Sequence, residues 1–215
     1  MKLVTTPDEN FIFWESKERE GEWINRMDFV EFLKENGLME KHYLLDIGCG
    51  HLRHGIPLIE YLKPGHYYGY DQDESHLPIG LTGVEKYGLM WKLPTVGVEK
   101  DFDAFVFGQK FDFVMANSIF THIHINDIKK CVIETLKYMK PKGKFFATFY
   151  MEPDFSGCDQ GPGIYYCRST QPSSFYENDF KGVCNTKVIG DWIGSKNTYG
   201  QQMVLFTKKG LGRVV

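Results

Sequence analysis

Between Leu44 and Gly55 the chain reads LLDIGCGHLRHG, and an apolar run resumes from Ile56 to Leu62. Leu44, Leu45 and Ile47 have the character of a buried strand. Gly48 and Gly50 then remove side chains where the chain must turn. A strand that turns directly into a helix commits this region to an α/β architecture, and the bare turn leaves backbone N–H groups open to a nucleotide-like ligand.

The alternation continues downstream. HYYGYD is a second strand ending at Asp71, followed by a helix from Glu74 towards Tyr87. TVGVEKDF, KFDFVMAN and KFFATFY supply a third, fourth and fifth strand. INDIKKCVIETLKYMKPKG is the clearest helix, with Asn126 or Asp127 as its cap, Ile128, Val132, Leu136 and Met139 as its stripe, and Pro141 and Gly143 as its stop. An earlier helix spans Gly21 to Asn36 on Trp23, Ile24, Met27, Val30 and Leu33, and Gly37 stops it. Ahead of it, FIFWESKERE is either a first helix on the core or a lid over a cleft. The expected organisation is an N-terminal helical cap over residues 1–40 and a main domain over residues 41–215. VCNTKVIGDW and QQMVLFTKK form a closing antiparallel pair. The expected fold is therefore α/β: a doubly wound, mostly parallel, seven-stranded sheet with helices on both faces. Residues 151–174, rich in Gly, Pro and Ser, form a loop too long to be a passive connection.

The formal net charge of −3 argues against the basic face that nucleic acid requires, and no nucleic-acid partner is expected. No pair of the five cysteines has C-x-x-C spacing, so neither a zinc site nor a disulfide framework is indicated. The opening MKLVTTPDEN lacks an apolar signal stretch, and no segment is built to span a bilayer. A reduced, cytoplasmic protein is the expectation.

Parallel sheets bind ligands outside the carboxyl ends of their strands. Asp71, at the second strand's exit, can accept hydrogen bonds from both hydroxyls of a ribose. That suits NAD and any other adenosine ligand alike. The turn itself separates them. From Gly48 the frame gives Gly48, Gly50 and then Arg53, without the third glycine of a dinucleotide fingerprint. Asp46, just before the turn, repels a diphosphate and suits a cationic amino group, as S-adenosylmethionine carries.

The run DIGCGHLRHGIPLIEYLKPGHYYGYD resembles the first two motifs of class I S-adenosylmethionine-dependent methyltransferases, a Rossmann-like fold family. It is especially similar to the branch reading D-x-G-C-G-x-L-R-x-G, then Y-L, then Y-x-G-x-D. DFDAFVFGQKFDFVMANSIFTHI resembles that branch's later block, and MKPKGKFFATFY its fifth strand. The resemblance covers Leu44 to Tyr150 and implies S-adenosylmethionine as cofactor. It places Asp46, Gly48 and Gly50 at the methionine end and Asp71 on the ribose. Gln72, Asp101 and Phe102 flank the adenine, and Asn117 lies near the sulfonium. Leu52, Arg53 and His54 depart from the small residues common elsewhere in the superfamily.

Methyl transfer requires alignment of the nucleophile and removal of its proton. ANSIF stands where enzymes that methylate nucleobases or glutamine often carry Asn-Pro-Pro-Tyr. The following THIH offers His122 and His124 as candidate bases, since imidazole exchanges protons near neutral pH. An HxH metal pair with Glu152 and Asp154 is a third, weaker reading, and no metal is expected. On the acceptor side stand Glu152, Tyr165, Tyr166, Arg168 and Trp192: rings for stacking, and a guanidinium for an acidic group. The expected reaction is methylation of a hydroxyl or amine on a small polar molecule, a saccharide or related metabolite first. The alternatives are a protein or RNA methyltransferase, or a non-catalytic S-adenosylmethionine binder that regulates a partner.

Overall fold

The computed structural model describes residues 27–151, 157–160, 167–171, 178–191 and 201–210. The chain divides into two compact units, Met1–Asp101 and Phe102–Val215.

In the first unit, strands β1 (Leu44–Ile47), β2 (Tyr67–Asp71) and β3 (Thr95–Val98) run parallel in the order β3-β2-β1. Three helices accompany them: α1 (Met27–Glu35), α2 (Gly55–Tyr61) and α3 (His76–Lys86). Every residue of β1 is buried, which accounts for its unbroken apolar run apart from Asp46. Phe29, Val30 and Leu33 of α1 are buried, and the Phe29 ring lies 5.2 Å from that of His54 at the head of α2. This part of the expected cap is thus core of the first unit. Residues 1–26, including FIFWESKERE, lie outside the described residues. Lys92 closes the far end of α2, donating to the carbonyls of Glu60 (2.6 Å) and Leu62 (2.7 Å).

In the second unit, β4 (Phe111–Ala116) pairs in parallel with β5 (Met139–Met151), and α4 (Ile125–Tyr138) connects them. The closing pair is β8 (Cys184–Asp191) and β9 (Gln201–Lys208). They are antiparallel to each other, and β9 is antiparallel to β5. Much of the aromatic content is spent here. Phe120, Phe145, Phe149, Phe180 and Phe206 are all buried, with ring centroids 5.0 Å apart for Phe120–Phe149 and 5.3 Å for Phe180–Phe206.

Three sequence expectations change. The cap of α4 is His124, whose Nδ1 accepts from the Asn126 N–H at 3.2 Å; Asn126 and Asp127 already lie in the first turn. The helix stops at Tyr138, before Pro141 and Gly143, because Met139 takes extended backbone and opens β5. Pro141 and Gly143 instead fall in a register shift between the Phe111–Met139 and Phe113–Lys144 pairs. A Cβ on Gly143 would sit 3.0 Å from the Lys140 carbonyl oxygen and 3.1 Å from that of Phe111, so the bulge needs glycine. Finally, the segment expected as a loop contains β6 (Gly157–Gln160) and β7 (Cys167–Gln171), antiparallel to each other, with β7 parallel to the end of β5. Their backbone pairing comes from a neighbouring strand, which residue-by-residue propensity does not register.

Candidate active site

The turn after β1 is built from left-handed backbone: Gly48 at φ 66°, Gly50 at φ 51° and, unusually for a branched residue, Leu52 at φ 57°. Its shape is held from β2. Gly48 and Cys49 donate their N–H groups to the Tyr70 carbonyl at 2.8 and 3.0 Å, and the Gly50 N–H reaches Asp71 Oδ2 at 2.9 Å. Leu52, fully buried, packs where only a glycine can face it: a Cβ on Gly80 of α3 would approach Leu52 Cγ to 2.6 Å.

Asp71 is 8% exposed at the end of β2, and its second oxygen accepts the Asp73 N–H at 2.9 Å. Two backbone donors therefore fix the carboxylate, while each oxygen retains accepting capacity for a hydroxyl. Around it stand groups that sequence reasoning passed over. His76 Nδ1 lies 3.4 Å from Asp71 Oδ1, its Nε2 3.7 Å from Asp73 Oδ2, and its ring 4.5 Å from that of His51. Ser75, bonding to Asp73 through hydroxyl and N–H, holds that carboxyl below the usual carboxylate range.

Asp46 is buried under the turn, and its Oδ2 accepts a 2.7 Å hydrogen bond from the Tyr67 hydroxyl. Burial pushes its carboxyl up to about 7; the tyrosine bond opposes that rise and the nearby Asp71 adds to it. Tyr67 is the other group missed. Nothing in HYYGYD marks one tyrosine as a partner for an acid 21 residues earlier.

In the second unit, Asn117 leaves β4 half-buried, and Ser118 follows in left-handed backbone at φ 58°. Side chains from distant strands pin this turn. The Ser118 N–H donates to Thr148 Oγ1 at 2.7 Å, the Ser118 hydroxyl to Gln201 Oε1 at 3.2 Å, and the Thr121 hydroxyl to the Ser118 carbonyl at 2.8 Å. Thr121 and Thr148 are fully buried. His122 and His124 are both exposed, and His124 is engaged as the helix cap.

Gln72 is exposed beside Asp71, and Asp101 is exposed at the end of the first unit, its N–H donated to Glu99 Oε1 at 2.7 Å. Phe102 opens the second unit at φ 63°. Glu152, Asp154, Tyr165, Tyr166 and Trp192 lie outside the described residues. Arg168 is described only by its backbone, which pairs with Asp159 in the β6–β7 hairpin. Among the described residues no group of three His, Cys, Asp or Glu side chains could hold a metal, and no helix is long and apolar enough to cross a membrane.

The donor set fits S-adenosylmethionine: a clamped acid for a ribose diol, an acid under the turn where a diphosphate would be repelled, and a turn shaped from β2. Residues 45–145 match the family model of a methyltransferase domain. Similar solved structures include magnesium protoporphyrin IX methyltransferase from Synechocystis with bound S-adenosylmethionine. It is 14% identical with a TM-score of 0.64, over 95% of this chain and 87% of that one. An S-adenosylmethionine-dependent methyltransferase from Clostridium acetobutylicum is 16% identical with a TM-score of 0.64, over 88% of this chain and 92% of that one. DesVI from Streptomyces venezuelae is 13% identical with a TM-score of 0.66, over 95% of this chain and all 100% of that one. The likeness gives the fold, the doubly wound, mostly parallel seven-stranded sheet with helices, to which β6 and β7 add a hairpin. Residues 45–145 thus match a methyltransferase domain, carried on a fold shared with solved S-adenosylmethionine-dependent methyltransferases.

Proposed function

We propose that the chain methylates a hydroxyl or amine of a small polar molecule, with a saccharide or related metabolite as the leading acceptor class. The observation that carries the cofactor half is Asp71, an acid at a strand exit whose oxygens are fixed by the Gly50 and Asp73 N–H groups yet can still accept two hydroxyls. Bound S-adenosylmethionine supplies an electrophilic methyl group on a positive sulfur. The chain's residues bind, orient and remove a proton. Asp71 takes the ribose, Gln72, Asp101 and Phe102 flank the adenine, and Asp46, Gly48 and Gly50 serve the amino-acid end. Asn117 lies towards the sulfonium.

His122 is the base in this reading. The ring of His124 caps α4 through Nδ1, and His122 stands on the exposed loop between β4 and α4. As the acceptor's oxygen or nitrogen bonds to the methyl carbon, that carbon's bond to sulfur would break, and an imidazole taking the acceptor's proton would leave a neutral ether or amine and carry the positive charge itself. Glu152, Tyr165, Tyr166, Arg168 and Trp192 are assigned to the acceptor. A small-molecule acceptor is supported by the net charge of −3 and by the Synechocystis neighbour, whose name records a magnesium porphyrin as its substrate. The test is formation of S-adenosylhomocysteine from S-adenosylmethionine over a panel of sugars, nucleotide sugars, aromatic acids, peptides and RNA. Turnover with peptide or RNA alone would reject the small-molecule reading. Binding of the cofactor with no turnover on any class would favour a regulatory binder.

A further inference from the structure

Beneath the glycine turn, the space around one hydroxyl is shaped by missing side chains. Tyr67, 1% exposed at the start of β2, sends its phenol oxygen to Asp46 Oδ2 at 2.7 Å. A Cβ on Gly55, at the head of α2, would lie 2.5 Å from that oxygen, and one on Gly69, the β2 residue paired with Asp46, would lie 3.3 Å from it. That Cβ on Gly69 would also lie 3.1 Å from the Cys49 side chain of the turn. Strand and helix thus each give up volume around a buried tyrosine hydroxyl. A phenylalanine would fill a core equally well, so packing alone does not account for an oxygen placed there.

We propose that Tyr67 is a positioning residue of the cofactor site, its buried hydroxyl fixing the Asp46 carboxylate under the glycine turn for the cationic amino-acid end of S-adenosylmethionine. This rests on the cofactor reading above. The titratable groups around Asp46 among the described residues are Tyr67, Cys49 and Asp71. Burial keeps the Tyr67 phenol and the Cys49 thiol well above their ordinary values, so both stay neutral.

The direction of the pH effect follows from these neighbours. Burial raises the Asp46 carboxyl to about 7, and the Tyr67 bond, which favours the ionised form, pulls the other way. A cationic ligand favours the carboxylate, so affinity weakens as pH falls through about 7 and the acid takes up its proton. Without the hydroxyl, the carboxyl rises further and that loss begins at higher pH. For folding, the sign is that of any raised acid. The stability from holding the proton is present below the ordinary carboxylate range and is lost as pH rises through about 7.

The experiment is calorimetric binding of S-adenosylhomocysteine from pH 5.5 to 9, with 5′-methylthioadenosine, which lacks the amino-acid end, as the control ligand. Tyr67→Phe is expected to weaken S-adenosylhomocysteine about tenfold at neutral pH, the usual consequence of losing a hydrogen bond to a charged group, and to move the midpoint of the pH dependence upward. Methylthioadenosine affinity should hardly change, since it presents no ammonium. Asp46→Asn, which keeps an acceptor for Tyr67, should give a flat profile and serves as the second variant if Tyr67→Phe folds poorly. An unchanged midpoint in Tyr67→Phe, or a sloping profile in Asp46→Asn, overturns the assignment. Equal losses for both ligands would do the same, marking Tyr67 as merely structural. If the parent binds neither ligand at any pH, the cofactor reading itself fails and takes this inference with it.

Discussion

The turn after β1 and the turn after β4 both carry left-handed, non-glycine backbone, yet they are secured in opposite ways. The first contains Leu52 at φ 57° between glycines at positions 50 and 55, and its ties run to the carbonyl and carboxylate that end β2. The second has no glycine. Ser118 sits at φ 58° because Thr148 and Gln201, 30 and 83 residues away, accept its N–H and its hydroxyl. A strained single residue costs on the order of 1–3 kcal/mol, so each turn persists only while its surroundings over-determine it. One does so through missing side chains and backbone donors, the other through buried polar side chains.

The largest expected effect separates chemistry from scaffold in the second turn. His122→Gln should lower turnover by about 10²–10⁴, the span usual for a positioned base, while leaving S-adenosylmethionine affinity unchanged. Normal turnover in a folded variant would remove His122 from the chemistry. It would leave the second turn as an aligning surface only.

In the first turn, Asp71→Ala removes the acceptor of both the Gly50 and Asp73 N–H groups as well as the proposed ribose contact. Cofactor affinity should fall by about 1.5–3 kcal/mol for each charged bond lost, read by calorimetry. Asp71→Asn keeps an acceptor oxygen and should recover part of that loss. If Asp71→Ala binds the cofactor as the parent does, Asp73 becomes the candidate acid.

Thr148→Val tests the side-chain mechanism of the second turn. The variant is nearly isosteric but leaves the Ser118 N–H without its 2.7 Å acceptor in a half-buried setting. Denaturant unfolding should show a loss of about 1–3 kcal/mol, and Thr148→Ser should restore most of it. A neutral Thr148→Val would mean that the turn's shape comes from its own sequence, which would make the two turns alike.

That contrast explains what could be read from residues alone. Gly48, Gly50 and Asp71 stand out because glycine spacing and a strand-terminal acid act locally, and the alternation of strands and helices carries the sheet with it. Thr148 and Gln201 sit inside β5 and at the head of β9, where nothing nearby distinguishes them from ordinary strand residues. Tyr67 hides among three tyrosines within residues 67–70 for the same reason: its meaning depends on Gly55 and Asp46 arriving around it. The sequence points to Asn126 or Asp127 and not to His124 as the cap of α4, because histidine is an uncommon capping residue and the other two are favoured types.

His124 provides the smallest effect and the sharpest division between capping and catalysis in THIH. Its Nδ1 accepts a 3.2 Å bond from the Asn126 N–H on an exposed surface, a long bond from a residue that is not a preferred cap. His124→Ala should therefore destabilise by only about 0.5 kcal/mol, the low end for caps. His124→Asp should be neutral or stabilising, because a carboxylate both accepts that N–H and suits the positive end of the helix dipole. Turnover should be close to the parent's in both variants. A catalytic His124 predicts a different pattern: Asp and Ala would lose activity together while differing in stability. If that pattern appeared, with His122→Gln still active, the base would move two residues along the loop and the cap would be its anchor.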